Sequence, residues 1–250
     1  MKKLLLLFVL FFLKIEIVFA QAMLVQSVSG SNSTNASLSI PWSFPTKAGN
    51  FLVAVVCSGR GNLGGAPTIT PPAGWSVAVT DTSIGTLSGE YKRGSIYYKE
   101  NAPSESGSKT WSSSTYLGSG RISVIMVEYY GVAQSACLDK SASATSSLLG
   151  LSANSGTTQM TAQNRELVIA AMCGHTDDVY VMPTNGFVIK VQVSLGLGVA
   201  ILDRNVNVTG TFGTGVSANL TLDNYVGTVV SFKVDYDAMR NKLLIMGTGG

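Results

Sequence analysis

A chain of 250 residues with 46% hydrophobic and only 12% charged residues has ample material for a core, which argues against a disordered, highly charged polymer. The formal net charge of +3 comes without any basic run, which argues against nucleic-acid binding by phosphate neutralisation. The length allows one large all-β domain or two small ones.

At the start, Lys2 and Lys3 precede an unbroken apolar stretch, Leu4 to Leu13, and then the small-x-small triplet Ala20-Gln21-Ala22. This is the pattern of a secretory signal peptide over residues 1–22, with Met23 as the mature start. Val18-Phe19-Ala20 offers a second cleavage point that would leave Gln21 first. The apolar stretch is shorter than the roughly 20 residues a membrane span needs, so the alternative of an uncleaved anchor is the weaker reading. The expected location is extracellular, on a cell surface or a virion, with no membrane attachment once the leader is removed. The remaining chain is close to neutral and wetted by Ser, Thr, Asn and Gly.

From there the chain reads as short segments rich in Val, Ile, Tyr, Phe and Thr between Gly, Pro, Asn and Ser clusters. Strands are predicted at 38–40, 51–57, 75–80, 94–99, 109–113, 122–130, 167–173, 186–193, 199–203, 217–222 and 226–234. No long stretch carries apolar residues at helical spacing. The predicted fold class is all-β, an antiparallel two-sheet β-sandwich of jelly-roll type over residues 23–235, followed by a tail over 236–250. Phe51–Cys57 and Leu167–Cys173 are continuous apolar runs, the signature of strands covered on both faces. Glu128, inside the apolar run around Tyr129, is expected to face solvent.

A weak repeat runs through the chain. Gly49-Asn50-Phe51-Leu52-Val53 echoes Asn164-Arg165-Glu166-Leu167-Val168, and Pro72-Ala73-Gly74-Trp75 echoes Pro183-Thr184-Asn185-Gly186-Phe187. The expectation is one sandwich with interleaved halves, joined by a polar connector at 141–163.

The order G-N-x-L-V-V, P-P-x-G-W, Y-Y-K, S-E-S-G-x-x-x-W and Y-x-G-V is carried here by Gly49–Val53, Pro71–Trp75, Tyr97–Lys99, Ser104–Trp111 and Tyr129–Val132. In these segments the chain resembles a broad group of concanavalin-like jelly-roll modules of bacterial extracellular proteins and phage tail or other virion proteins. The resemblance covers residues 24–234. It implies architecture and no enzymatic activity, and it brings no binding residues with it.

The residues themselves offer few chemical constellations. His175 is the only histidine, in Cys173-Gly174-His175-Thr176-Asp177-Asp178, and no metal-ligand spacing surrounds it. It reads as a polar loop after a buried strand, so no catalytic, metal or cofactor site is expected. The glycine-rich stretch 59–65 lacks the Lys-Ser/Thr of a phosphate loop. Arg60 and Asn62 in that loop, with His175 and Asp177 in the equivalent loop of the other half, form a candidate ligand-facing rim. Tyr98 and Tyr130, the outward members of two tyrosine pairs, are candidates for a sugar-stacking platform. Cys57, Cys137 and Cys173 are an odd set: a Cys57–Cys173 bridge and three buried free thiols are both open. The sequons at Asn32, Asn35, Asn207 and Asn219 matter only in a host that glycosylates exported proteins.

These readings converge on a non-catalytic surface-binding module with a cell-surface or extracellular glycan as partner. The alternative is a structural subunit of an extracellular or virion assembly, self-associating through the apolar tail. A polysaccharide hydrolase is third, for want of an acid/base set.

Overall fold

The computed structural model describes residues 21–60, 65–85, 89–114, 120–147, 150–175, 177–222 and 224–235. Residues 1–20, the tail at 236–250 and Asn62 lie outside the described residues. No described residue is helical. The first half contributes β1 (Met23–Asn32), β2 (Ser37–Pro41), β3 (Phe51–Arg60), β4 (Ile69–Thr70), β5 (Ser76–Ile84), β6 (Tyr91–Lys99), β7 (Ser108–Ser113) and β8 (Arg121–Tyr130). The second contributes β9 (Leu138–Ser146), β10 (Gly150–Asn154), β11 (Glu166–Cys173), β12 (Tyr180–Val181), β13 (Val188–Val193), β14 (Val199–Val206), β15 (Gly215–Leu222) and β16 (Tyr225–Lys233).

The all-β, antiparallel sandwich architecture is as the sequence predicts. The interleaving of the halves is not. In the first half β1-β8-β3-β6-β5 form one sheet and β2-β7-β4 another; in the second, β9-β16-β11-β14-β13 and β10-β15-β12 repeat both orders. Within each half the first strand pairs with the eighth, the second with the seventh and the third with the sixth. This nested winding is that of a jelly roll. The stretch at 141–163 is therefore no crossover between edges: it holds most of β9 and all of β10. The halves do not interleave because nested pairing satisfies each half's backbone within itself, leaving only faces to join.

Those faces make a four-layer stack. On β3, Phe51, Val53, Val55 and Cys57 point into a central core shared with Leu167, Ile169, Ala171 and Cys173 of β11. The alternate residues Leu52, Ala54 and Val56 point outward to Trp75 and Trp111 beneath the first small sheet. Val168, Ala170 and Met172 do the same beneath the second. A buried Val or Leu contributes about 1.5–3 kcal/mol, so both faces of these strands work, and their sequences read as unbroken apolar runs.

A disulfide joins Cys57 to Cys173, with Cα atoms 5.5 Å apart. Phe51 packs on Phe232, ring centroids 4.7 Å apart, and Phe232 neighbours Leu167 across the β11–β16 pairing. Hence β3 and β11 lie face to face and end at the same end of the molecule. The repeat aligns Phe51 with Leu167 rather than with Glu166. A one-residue slip of that kind would exchange the two faces of the strand.

Candidate functional site

The loops after β3 and β11 leave the molecule at the disulfide end. Arg60 is turned inward to its own loop: Nε donates to the Gly65 carbonyl at 2.6 Å, Nη2 to the Ala66 carbonyl at 3.0 Å and Nη1 to Ser114 Oγ at 3.2 Å. It pins the glycine-rich loop. The His175 N–H donates to Asp178 Oδ2 at 2.5 Å, and its carbonyl accepts from Gly198 N–H at 2.7 Å. Asp177, exposed and left-handed at φ 68°, donates its N–H to the Ser194 carbonyl. Burial pushes the Asp178 carboxyl above its ordinary range, opposed by the His175 N–H. Because Cys173 is disulfide-bonded, no thiolate stands beside His175.

Between these loops a buried polar cluster crosses from one half to the other. Lys92, fully buried, donates to Asn224 Oδ1 and to the Asn224 carbonyl, and lies 3.9 Å from Glu90, which Arg121 also pairs. Asn224 Nδ2 donates to Ser83 Oγ and to the Glu90 carbonyl, each at 3.2 Å. Charges taken out of water are tolerated only when so bonded. The cluster works as a joint between the halves.

Tyr98 and Tyr130 lie at the other end. Val53, the pairing partner of Tyr98, is seven residues from Arg60, about 23 Å along a strand. Tyr98 is not an outward platform: its ring packs 5.5 Å from Phe232 and 6.1 Å from Phe51, while Tyr97 packs 5.3 Å from Trp111. With both faces of the sheet covered, neither tyrosine of that pair points to open solvent. Tyr130 ends β8, half-buried, opposite Met23. The predicted rim and platform residues are thus not brought together. Glu128 is also corrected: it is 1% exposed, accepting from Asn50 Nδ2 at 2.6 Å, Gln26 Nε2 at 2.7 Å and Lys47 N–H at 2.8 Å.

A cleft does exist, in the second half, among residues that sequence reasoning passed over. Thr157, Asn185, Gly186, Arg204, Thr211 and Phe212 line a volume of about 520 Å³. Arg204 stands on β14 opposite Val168, on the face whose Ala200, Leu202 and Val206 fill the outer core. It interrupts that apolar stripe between Leu202 and Val206 and is half-buried. Asn185 and Gly186 form a two-residue turn with φ 57° and 72°, closed by a bond from Phe187 N–H to the Thr184 carbonyl. Such turns favour Asn-Gly because both central residues need positive φ. Arg204 Nη1 donates to the Asn185 carbonyl at 2.5 Å, and its guanidinium carbon lies 5.7 Å from the Phe212 ring centroid.

Phe212 is held by reciprocal bonds with a serine- and threonine-rich segment. Thr158 N–H donates to the Phe212 carbonyl at 2.9 Å, and Phe212 N–H donates to Thr158 Oγ1 at 3.0 Å. Ser155 holds Thr214 in the same way, and Thr161 holds Gly210. The cleft therefore rests on a zipped wall, and its polar groups are hydroxyls, an amide and one guanidinium. A finer alignment of the two halves would have exposed it from the sequence, by setting Lys99 against Arg204.

A scan of the chain against protein-family models found no match, and a search of the curated proteins found none either.

Proposed function

We propose that this chain is a non-catalytic surface-binding module, exported or virion-borne, that recognises a saccharide through the cleft at Arg204. One observation carries the reading: an open cleft of about 520 Å³, within the range of small-ligand sites, that combines Thr157 and Thr211, the Asn185 turn and a cation over Phe212. Hydroxyl and amide groups suit the hydroxyls of a sugar, and an aromatic-backed cation adds a directional donor. The reading moves the binding site away from Arg60, which bonds Gly65, Ala66 and Ser114, and from His175, which bonds Asp178 and Gly198.

Affinity electrophoresis of the full chain through gels containing different polysaccharides, with a reducing-end assay on the same samples, tests it. Retardation without new reducing ends is expected. New reducing ends would make the chain a hydrolase. Migration unaffected by every polymer, neutral or acidic, would remove the binding reading and leave a structural subunit, to be sought by light scattering across a concentration series.

A further inference from the structure

The two halves share one winding, so each feature of the cleft has a counterpart in the other half. Lys99 pairs across to Leu52 as Arg204 pairs across to Val168. Each cation lies over a left-handed turn glycine: Gly74, at φ 81°, beside Lys99, and Gly186, at φ 72°, beside Arg204. In the first half the cation is neutralised. Lys99 Nζ donates to Glu105 Oε1 at 2.5 Å, and Lys109 Nζ lies 3.1 Å from Glu105 Oε2.

The counterpart of Glu105 can be fixed by its backbone. Thr46 N–H donates to the Glu105 carbonyl at 2.8 Å, and Glu105 N–H donates to Thr46 Oγ1 at 2.8 Å. Of the three such pairs in the second half, that of Thr161 and Gly210, at 2.9 and 3.1 Å, stands six residues after Arg204, as Glu105 stands six after Lys99. Gly210 therefore stands where Glu105 stands. The second half has kept the cation and lost the acid. Phe212 fills part of the vacated space, since its ring comes within 3.1 Å of where a Cβ on Gly210 would lie. A ring supports a guanidinium but leaves its charge in place. Among the described residues no carboxylate lies within ion-pair distance of Arg204, and beyond the Asn185 carbonyl its donors meet no acceptor.

We infer that the cleft takes an acidic saccharide, with Arg204 receiving the carboxylate of a uronate- or sialate-type unit while the Thr157, Thr211 and Asn185 wall meets its hydroxyls. The first half supplies the internal precedent: there the β6 cation is satisfied by a carboxylate of the chain itself, and here that carboxylate comes from the ligand. Guanidinium–carboxylate pairs are charge-assisted and planar, so they select as well as bind. The inference rests on the saccharide-binding reading.

The full chain is titrated with polygalacturonate, dextran and dextran sulfate, as wild type and as Arg204→Gln. Tight binding of polygalacturonate alone, weakened on the order of tenfold or more in Arg204→Gln, is expected. Equal binding of dextran, indifferent to that substitution, would overturn the acidic-ligand inference and leave the saccharide reading standing. Dextran sulfate binding as tightly as polygalacturonate would overturn the carboxylate assignment. Binding of none would overturn both. Asn185→Asp covers the case in which Arg204→Gln fails to fold. It is exposed and its positive φ suits Asp; it gives up the Nδ2 bond to the Gly213 carbonyl and adds a negative charge to the lining that also carries Arg204. Polygalacturonate affinity is expected to fall in that variant, and an unchanged affinity there would overturn the inference.

Discussion

Glu166, the first residue of β11, is a fully buried carboxyl. Burial pushes it up to about 7; the nearby Asp139 adds to the rise and the Ser231 hydroxyl opposes it. A folded-state value above the ordinary 4.3 or so means that the native state holds this proton more tightly than the unfolded chain. Its stabilisation is therefore complete below about pH 4 and is lost as pH rises to about 7, an effect on the order of 3 kcal/mol. The urea midpoint of the wild type is expected to fall between pH 5 and 7.5, and the Glu166→Gln variant to lose most of that slope. Asp178 and Asp203 are also pushed up by burial, so some slope should persist in the variant. An identical profile in both proteins would place the whole pH dependence on groups other than Glu166. Residues of this kind were the least legible in the sequence. Alternation put Glu128 in solvent, because nothing within its own strand announces that Asn50, Lys47 and Gln26 will close over it. Lys92 likewise looks like an ordinary surface lysine until the other half is packed against it.

At the scale of elements, the long apolar strands were readable and the polar ones were not. β3, β8, β11 and β16 carry two buried faces and announce themselves. β9 alternates half-buried with exposed residues of Ser, Ala and Thr type, a composition that also describes a loop. β1 was missed for a related reason, being a mixed Ser, Gln and Val edge strand next to the leader. Its start bears on processing. Ala22 is 5% exposed and belongs to the central core, and its N–H and carbonyl are both bonded to the Asn205 side chain at 3.0 Å. Cleavage after Ala22 would remove that clamp, whereas cleavage after Ala20 keeps it. Under the proposal that residues 1–20 are a cleaved export leader, the mature chain is expected to begin at Gln21, not Met23, by intact-mass measurement of exported protein. Asn205→Ala, which breaks two hydrogen bonds, should cost about 1–3 kcal/mol. A mature start at Met23 with full stability would show the clamp to be dispensable.

Across the whole molecule, the sequence told of a duplication but not of how the copies meet. Two apolar strands covered on both faces can lie side by side in one sheet or face to face in two, and composition alone does not separate these. The same ambiguity left the cysteines open, because pairing needs the Cα separation that only the packing supplies. Face to face, Cys57 and Cys173 close a loop spanning 116 residues of sequence. A loop of that size constrains the unfolded chain strongly, and losing such a bond typically costs about 2–5 kcal/mol. For a chain of this size the Cys57→Ala/Cys173→Ala variant should then melt about 5–15 °C lower. The manner of melting carries more information than the shift. If either half could stand alone, the variant would unfold in two steps, each jelly roll at its own temperature. Against that, separating the halves would strip the inner faces of both five-stranded sheets at once, exposing Phe51, Val53, Val55, Leu167, Ile169 and Phe232 together. It would also part Asn224 from Lys92, Glu90 and Ser83. Neither half keeps its five-stranded sheet covered on both faces without the other, so a single cooperative transition is expected in the variant as in the wild type. Coincident unfolding curves by tryptophan fluorescence and far-UV circular dichroism would confirm it: Trp75 and Trp111 report only on the first half, and circular dichroism reports on both. Two separated transitions would mean that the central core is a docking surface between independent domains, and that the disulfide, rather than the packing, holds them in register.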